Sequence, residues 1–453
     1  MTPAQRAARR ALLKSAAASG LLAAVARQAA WARNAPDYKA LVCIFQQGGN
    51  DGENTLVRLD RSEYAKYASI RTPASGLNIP LGDLLPVKPR NAPALGFHPA
   101  CRSLQSLFEQ RRLAIVANMG MLAAPSTRAG LTTRGEVRPA NLFSHSDQQR
   151  ALQSADARGM TRTGWGGRIA DGVAPANADA LAPSAVALQQ WGIFVNGAKT
   201  IPLSLPPGAS TTAAITPDPT ADAIAGTAMR EILGGRRSNA FDVTAQVYAR
   251  EGLASSALVT PLLDPKTSRA ARHFEPLSSE VSQQLRTVAM LVEGRERTQL
   301  QRQVFHVRQG NYDTHGSQAA IHHRLLADLS EAVAAFERAM GDLGLGRNVT
   351  IFTLSDFGRT LKPAANKGTD HGWGNYAFVI GDAVRGGEVY GTLPTLALDG
   401  PDDLGNAGRW IPTTSLEQYA APLARWLGIP EADLPYVLPN IGRFPDAGLR
   451  FMT

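Results

Sequence analysis

Four short apolar runs in this 453-residue chain are each followed, directly or after a loop, by polar side chains that can carry chemistry. The runs read ALVCIF, LAIVANM, VFHVRQ and TIFTL, and each has the length of a strand buried on both faces. The polar residues that follow them are Asn50 and Asp51, the cluster from Ser144 to Asp147, Asp313 with His315, and Asp356. Strands of this kind form mostly parallel sheets, whose carboxyl ends share one edge and would bring these polar groups together.

Helical patterns lie between the apolar runs. Leu104, Leu107 and Phe108 share one face of a predicted helix before LAIVANM, and apolar residues recur at three- and four-residue steps from Ile321 to Met340. Alternating strands and helices are typical of α/β proteins. We therefore expect a three-layer α/β/α fold with a mostly parallel central sheet, in one large domain over residues 33–453.

Residues 172–276 differ in amino-acid composition from the rest of the chain. Alanine and proline dominate stretches such as APANADALAPSAVA and IPLSLPPGASTTAAITPDPTADA. This composition predicts an inserted cap or helical subdomain with long loops. A merely decorative insertion would have the same composition, so the sequence leaves its role open.

The N-terminal 32 residues are typical of an export signal. Arg9 and Arg10 are adjacent, an Ala/Leu run follows, and Ala30-Trp31-Ala32 is similar to a cleavage site. The run is too short and too rich in alanine for a convincing membrane span. We expect a twin-arginine signal, with the twin-arginine translocase as a partner and a periplasmic or otherwise exported product. The alternative is a basic amphipathic anchor that stays attached.

Charge and cysteine content exclude some classes of function. The formal charge of +9 falls to +4 without residues 1–32, which contain five basic and no acidic residues. No dense basic stripe with interleaved aromatic residues remains, so nucleic-acid binding has little support. The mild positive charge suits an anionic substrate. With two cysteines, one of them inside ALVCIF, a disulfide framework is not expected.

The types of polar residue favour a metal site. Aspartate and histidine bind Zn²⁺, Mn²⁺ and similar ions, and sets richer in oxygen favour harder ions such as Mg²⁺ or Ca²⁺. A hydroxyl beside such a cation can act as a nucleophile. Each residue has a structural alternative: Asp51 can shape a turn, Ser144 and Ser146 can cap a helix, and Arg359 can form a salt bridge with Asp356.

Three stretches together resemble the DUF1501 family, an exported group within the alkaline phosphatase superfamily of phosphatases, sulfatases and related enzymes. They are FQQGGNDGENTLV, GNYDTHGSQ and SDFGRTLKPAANKGTDHGWGN. The resemblance covers essentially all of the chain after the signal. It implies an alkaline phosphatase-like fold and a site that holds a divalent metal, with the identity and number of the ions open.

The resemblance also implies roles for particular residues. Those implied to bind metal are Asp51, Asp313, His315, Asp356 and His371. Ser144 or Ser146, at the start of a helix, lies where the superfamily places its nucleophile, and the N–H groups of that helix would help to hold an anion. Apart from the resemblance, Arg359 follows Asp356 by three residues and could steady the anionic group of the substrate.

One departure from the superfamily pattern divides the functional hypotheses. The chain reads SDFG, so that Phe357 stands where a histidine normally serves a second metal, and no sulfatase-type signature surrounds the candidate serines. The leading hypothesis is an exported metal-dependent hydrolase of a phosphate or sulfate ester, carried by a small molecule or a polymer. The alternative is a catalytically inactive binding or assembly protein on the same fold, and a transferase is a lesser third possibility.

Overall fold

The structure is a computed structural model that describes residues 38–453, except 134–136, 189–191, 447 and most of 206–256. The predicted export signal lies outside the described residues. The strands are β1 (Lys39–Gln46), β2 (Leu56–Arg58), β3 (Leu85–Val87), β4 (Leu95–Phe97), β5 (Leu113–Gly120), β6 (Ala185–Ala187), β7 (Leu203–Ser204), β8 (Arg302–Gln309), β9 (Val349–Ser355), β10 (Arg359–Pro363), β11 (Thr369–His371), β12 (Asn375–Ile380), β13 (Val389–Tyr390) and β14 (Thr414–Ser415).

The α-helices separate these strands. They are α1 (Gly52–Thr55), α2 (Arg61–Ile70), α3 (Arg102–Glu109), α4 (Arg128–Thr133), α5 (His145–Ser154), α6 (Trp165–Gly172), α7 (Glu280–Glu293), α8 (Arg295–Thr298), α9 (Gln318–Asp342), α10 (Leu416–Leu427) and α11 (Leu434–Val437). None of the helices in the described part of the chain has the length and apolar character needed to cross a membrane.

The central sheet has nine strands among the described residues. Eight of them follow the order β13-β5-β12-β9-β1-β8-β6-β7, and β14 pairs with β5. All pairings are parallel except those of β12, which runs antiparallel to both β5 and β9. The four longest strands, β1, β5, β8 and β9, are buried over nearly all of their length because they are covered on both faces.

Two apolar clusters cover the two faces of this sheet. Helices α3, α7 and α9 contribute to the cluster on one face, and helices α5, α6 and α10 contribute to the cluster on the other. The three-layer α/β/α prediction is therefore confirmed. Cys43 and Cys101 are buried as free thiols within these two cores.

Two smaller sheets lie beside the central one. Strands β2, β4 and β3 form an antiparallel sheet in that order, and β10 pairs with β11 as an antiparallel arm. At the edge of the central sheet, β13 pairs in parallel with β5.

The predicted insertion at residues 172–276 needs a correction. Strands β6 and β7 lie within that range yet extend the central sheet, with β6 paired in parallel to β8. Leu263 and Phe274, near its other end, pack in the main apolar core. These apolar residues are taken up by the main sheet and core, so only the intervening stretch can form a separate subdomain. Most of that stretch lies outside the described residues, and its role stays a prediction.

A candidate metal centre

The candidate site forms where the central strands end. Strands β1, β8 and β9 are parallel neighbours, so the turns that follow them lie side by side. Strand β12 runs the opposite way, and this brings the residues before it, including His371, to the same edge. The antiparallel direction of β12 thus explains how a polar cluster that precedes its strand joins clusters that follow theirs.

Close packing of these turns depends on two glycines after β1. Gly48 has φ of +113°, and a Cβ there would lie 2.3 Å from the backbone nitrogen of Asp313. Gly49 has φ of +88°, and its Cβ would lie 2.7 Å from the ring of Phe357. Any larger residue would push the β1 turn away from the turns that carry the site.

Three histidines and one aspartate converge at this edge, namely His145, Asp313, His315 and His371. The Nε2 atom of His371 lies 3.0 Å from Nε2 of His145 and 3.0 Å from Nε2 of His315. The Oδ1 atom of Asp313 lies 3.1 Å from Nε2 of His145, 2.9 Å from that of His315 and 3.5 Å from that of His371. These atoms therefore surround one small volume.

The outer nitrogen of each ring faces an acceptor. Nδ1 lies 2.8 Å from Oδ2 of Asp356 in His145, 2.7 Å from the carbonyl of Phe143 in His371, and 3.3 Å from Oδ1 of Asp370 in His315. A neutral imidazole that donates through Nδ1 keeps a lone pair on Nε2. All three lone pairs then point inward, together with the carboxylate oxygen of Asp313.

Such an arrangement fits a metal cation. Lone pairs of neighbouring nitrogens repel one another, and a single proton can bridge only two of the four atoms. A cation roughly 2.0–2.1 Å from four tetrahedral ligands places those ligands about 3.3 Å apart. Five of the six distances between these atoms are 2.9 to 3.5 Å and match that spacing, and all four atoms lie within 4.8 Å of one another. Three imidazoles with one carboxylate suit Zn²⁺ and other transition metals better than Mg²⁺ or Ca²⁺.

Buried and charged neighbours shift the pKa values at the site. The hydrogen bond to Asp356 raises the pKa of His145, whereas burial lowers that of His371. Burial acts to raise the pKa of Asp313, but His145 and the Arg359 guanidinium outweigh it and hold that pKa below its usual range. Asp313 is therefore ionised at neutral pH, as a metal ligand must be.

The structure gives Asp356 a different position from the expected one. It was expected to bind metal directly, but its Oδ2 accepts from His145 and from Gln149, and its Oδ1 accepts from the backbone of Gly48. Its side chain is fully buried behind the His145 ring. Asp356 can orient His145, as outer carboxylates do in many metal sites. It does not reach the cluster of His145, Asp313, His315 and His371, which we call the metal cage.

Asp51 also lies outside the cluster, contrary to the expectation that it binds metal. Its two oxygens accept from the two terminal nitrogens of Arg71, at 2.7 and 2.9 Å, and Gln318 also donates to it. Both partners of this ion pair are completely buried. A guanidinium therefore occupies the place beside Asp51 that a cation would need.

Phe357 packs directly against the cluster. Its ring centroid lies 4.8 Å from that of His145 and 4.7 Å from that of His371, and the side chain is buried. In place of a further metal ligand, it forms an apolar wall that holds two of the histidine rings. Because Asp51 is paired with Arg71, the four residues His145, Asp313, His315 and His371 are the candidate metal ligands that the described part of the chain brings together here.

Arg359 is not available to bind substrate as expected. Its side chain has no exposed surface, and it donates to Asp313 at 3.0 Å and to the carbonyl of Thr369 at 2.8 Å. Its position is that of a structural partner that fixes the Asp313 carboxylate.

The two candidate serines flank His145 in the chain. Ser144 is the N-cap residue of α5, and its hydroxyl lies 3.2 Å from that of Ser146. Over the described ranges, no hydrogen bond joins either hydroxyl to the cluster. The structure thus brings together Asp313, His315 and His371 of the predicted site, but not these serines.

The sequence prediction did not include His145, which the structure places in the cluster. His145 lies between the two candidate serines in the polar stretch after LAIVANM. The available signal was its residue type, because histidine is a common metal ligand and His145 is the first residue of α5.

Comparison with known proteins gives the family. The sequence matches the family described as a protein of unknown function, DUF1501, over residues 38–406. The chain therefore belongs to the DUF1501 family. A search of curated proteins gave no match.

Solved structures give only distant likenesses. PsFucS1 sulfatase from Pseudoalteromonas sp. is 10% identical with a TM-score of 0.35, and the match covers 95% of this chain and 73% of that one. Ps i-CgsB in complex with k-i-k-neocarrahexaose is 10% identical, with a TM-score of 0.34 and coverage of 89% and 77%. The zinc complex of the periplasmic domain of EcEptC from Escherichia coli is 9% identical, with a TM-score of 0.29 and coverage of 77% and 74%. Likenesses this distant do not bear on activity.

Proposed function

We propose that this protein is an exported hydrolase of a phosphate or sulfate ester that depends on one divalent transition-metal ion. The ion is held by His145, Asp313, His315 and His371. The observation that carries the proposal is the convergence of three imidazole Nε2 atoms and one carboxylate oxygen on one small volume. Hydrogen bonds at the outer nitrogens hold the rings of His145 and His371, and the outer nitrogen of His315 lies 3.3 Å from Asp370. This arrangement is unfavourable without a cation and well suited to one.

The neighbours of the cage prepare it for a cation. Asp356 holds the His145 ring, Arg359 fixes the Asp313 carboxylate, and Phe357 keeps water from one side of the two rings that it contacts. A cation in such a cage supplies Lewis-acid polarisation of an ester oxygen and activates water near neutral pH.

The solvent exposure of two cluster residues favours a catalytic metal site over a structural metal site that is closed to solvent. The side chains of Asp313 and His315 are each 45% exposed, whereas that of Asp356 behind them is fully buried. An ester group can therefore approach from the exposed side. Ser144 and Ser146 remain candidate nucleophiles because they flank His145, and single alanine variants of each separate their contributions from that of water.

The test begins with the metal. The purified protein should contain about one transition-metal ion per chain, and His145→Ala should lose it. His273→Ala is the matched control, because its side chain is 25% exposed against 26% for His145 and it lies away from the cluster. Phosphate and sulfate esters are then assayed with Zn²⁺, Mn²⁺, Mg²⁺ and Ca²⁺. Absence of a bound transition metal would refute the site.

One observation favours the second candidate function, a binding or assembly protein that has lost catalysis. In the described part of the chain, neither candidate serine is hydrogen-bonded to the cluster, and four protein ligands could fill a tetrahedral metal. Stoichiometric metal without turnover of any ester would favour this candidate, whereas turnover that His145→Ala abolishes would favour the hydrolase.

A further inference from the structure

Arg409 lies beside the metal cage and contacts it without belonging to it. Its Nε donates to the backbone carbonyl of His371 at 2.8 Å. Its guanidinium lies over the ring of Phe143, 5.1 Å from the ring centroid, and the carbonyl of Phe143 is the group that holds Nδ1 of His371. Arg409 is therefore linked to His371 directly through its carbonyl and indirectly through Phe143.

The loop that carries Arg409 is organised around a buried carboxylate. Asp403 has no exposed surface and accepts from the backbone nitrogens of Asp399, Gly408 and Arg409 at 2.9–3.0 Å. Trp410, the next residue, is buried and donates to Glu53. The backbone on which the guanidinium is mounted is thus fixed in advance of any ligand.

The terminal nitrogens of Arg409 have unused hydrogen-bonding capacity. Its Nε and ring contacts leave both terminal nitrogens without a hydrogen-bond or ion-pair partner among the residues that the structure describes. By contrast, the guanidinium of Arg359 donates hydrogen bonds to Asp313 and Thr369. A planar guanidinium with its outer edge free matches two oxygens of a tetrahedral oxyanion.

We propose that Arg409 binds the anionic group of the substrate at the metal site, and that the group is a tetrahedral oxyanion, either phosphate or sulfate. Nε and the Phe143 ring hold the guanidinium in place, and its free edge receives two oxygens of the group. This inference rests on the proposed function for the identity of the substrate, but oxyanion binding can be measured without turnover.

The test uses inorganic phosphate and inorganic sulfate as separate probes on the full protein, by calorimetry. Arg409→Gln should weaken binding of the preferred oxyanion at least about 10-fold, and Arg409→Lys should recover part of the loss because it restores the charge without the planar fork. Arg338→Gln is the control, because it removes the charge of an exposed arginine near the C-terminal end of α9. This variant should bind the oxyanion as the wild type does. Where an ester is turned over, Arg409→Gln should raise KM more than it lowers kcat.

Metal content separates this inference from the proposed function. Arg409→Gln should keep the metal content of the wild type, so that loss of metal in this variant would show a structural role through His371 and overturn the inference. It is also overturned if the wild type binds neither oxyanion, or if Arg409→Gln and Arg338→Gln bind equally well. A wild type that lacks metal but whose oxyanion binding depends on Arg409 would refute the hydrolase alone.

Discussion

Individual residues at the cage have separate tasks, and Asp356 shows this most clearly. It sits one layer behind His145, where it fixes the ring and its tautomer. Asp356→Asn keeps the shape of the side chain but removes its charge, so we expect metal affinity to fall about 10- to 100-fold. Competition with a chromogenic chelator measures the affinity. The exposed Asp446→Asn is the control, and an Asp356→Asn affinity within twofold of the wild type would contradict the assigned position.

The buried pair of Asp51 and Arg71 makes a prediction about pH. Burial acts to raise the pKa of Asp51, but Arg71 outweighs it and holds that pKa below its ordinary value. A carboxyl whose pKa is lowered by folding stabilises the protein above its unfolded pKa of about 4, and this contribution is lost as the pH falls through the folded value. Asp51→Asn leaves Arg71 buried without a counter-charge and should lower the free energy of unfolding by about 3–5 kcal/mol at pH 7.

The difference between wild type and Asp51→Asn should shrink as the pH falls below about 4, because the unfolded wild type then takes up a proton that the folded protein does not bind until its own, lower pKa is reached. Denaturant unfolding at a series of pH values measures it. Glu109→Gln, at an exposed position, should change stability by no more than about 0.5 kcal/mol at any pH. A difference that stays constant from pH 7 down to pH 2 would show that folding does not lower the pKa of Asp51.

Helix ends are the clearest link between sequence and structure at the level of elements. Helix α7 runs over Glu280–Glu293, and Ser279 caps it by accepting from the backbone of Ser282. Ser279→Ala should therefore lower the free energy of unfolding by about 1 kcal/mol. Ser278→Ala, the exposed neighbour, should have almost no effect. Equal effects of the two substitutions in denaturant unfolding would contradict the capping role.

Strand direction decides which elements reach the site. The apolar runs could be recognised as strands from their composition, but nothing in NYAFVI marks it as antiparallel to its neighbours. The direction of β12 follows from the position that it takes between β5 and β9. Because of it, His371, which precedes the strand, meets Asp313 and His315, which follow β8.

At the level of the whole molecule, the remaining prediction concerns export. The twin-arginine route carries folded proteins, which would suit a domain that folds around the proposed metal site. Replacing both Arg9 and Arg10 by lysine should keep the protein inside the cell, because the paired arginines are the feature that the translocase recognises. Cell fractionation with an antibody measures the exported share. Arg27→Lys, in the same segment, should be exported normally. Undiminished export of the double variant would argue for another route or for a retained anchor.

Sequence by itself determined the layered architecture and the edge at which the chemistry collects. Short buried strands that alternate with amphipathic helices have few ways to hide their apolar faces, and parallel strands end together. Asp51, Asp313, His315 and Asp356 were identifiable on that basis, although the fold uses Asp51 and Asp356 in other ways. The family pattern added His371, which precedes its strand.

Only the tertiary structure decided which carboxylates and histidines face one another. Asp51 is paired with Arg71, 20 residues further along the chain, and Asp356 lies behind His145, from which 211 residues separate it. Folding, and not spacing in the sequence, brings each pair together. The role of Phe357 likewise depends on two rings that it contacts in space. A metal cage requires atoms on different turns to lie at particular distances from one another. Residue type and spacing along the chain do not specify those distances.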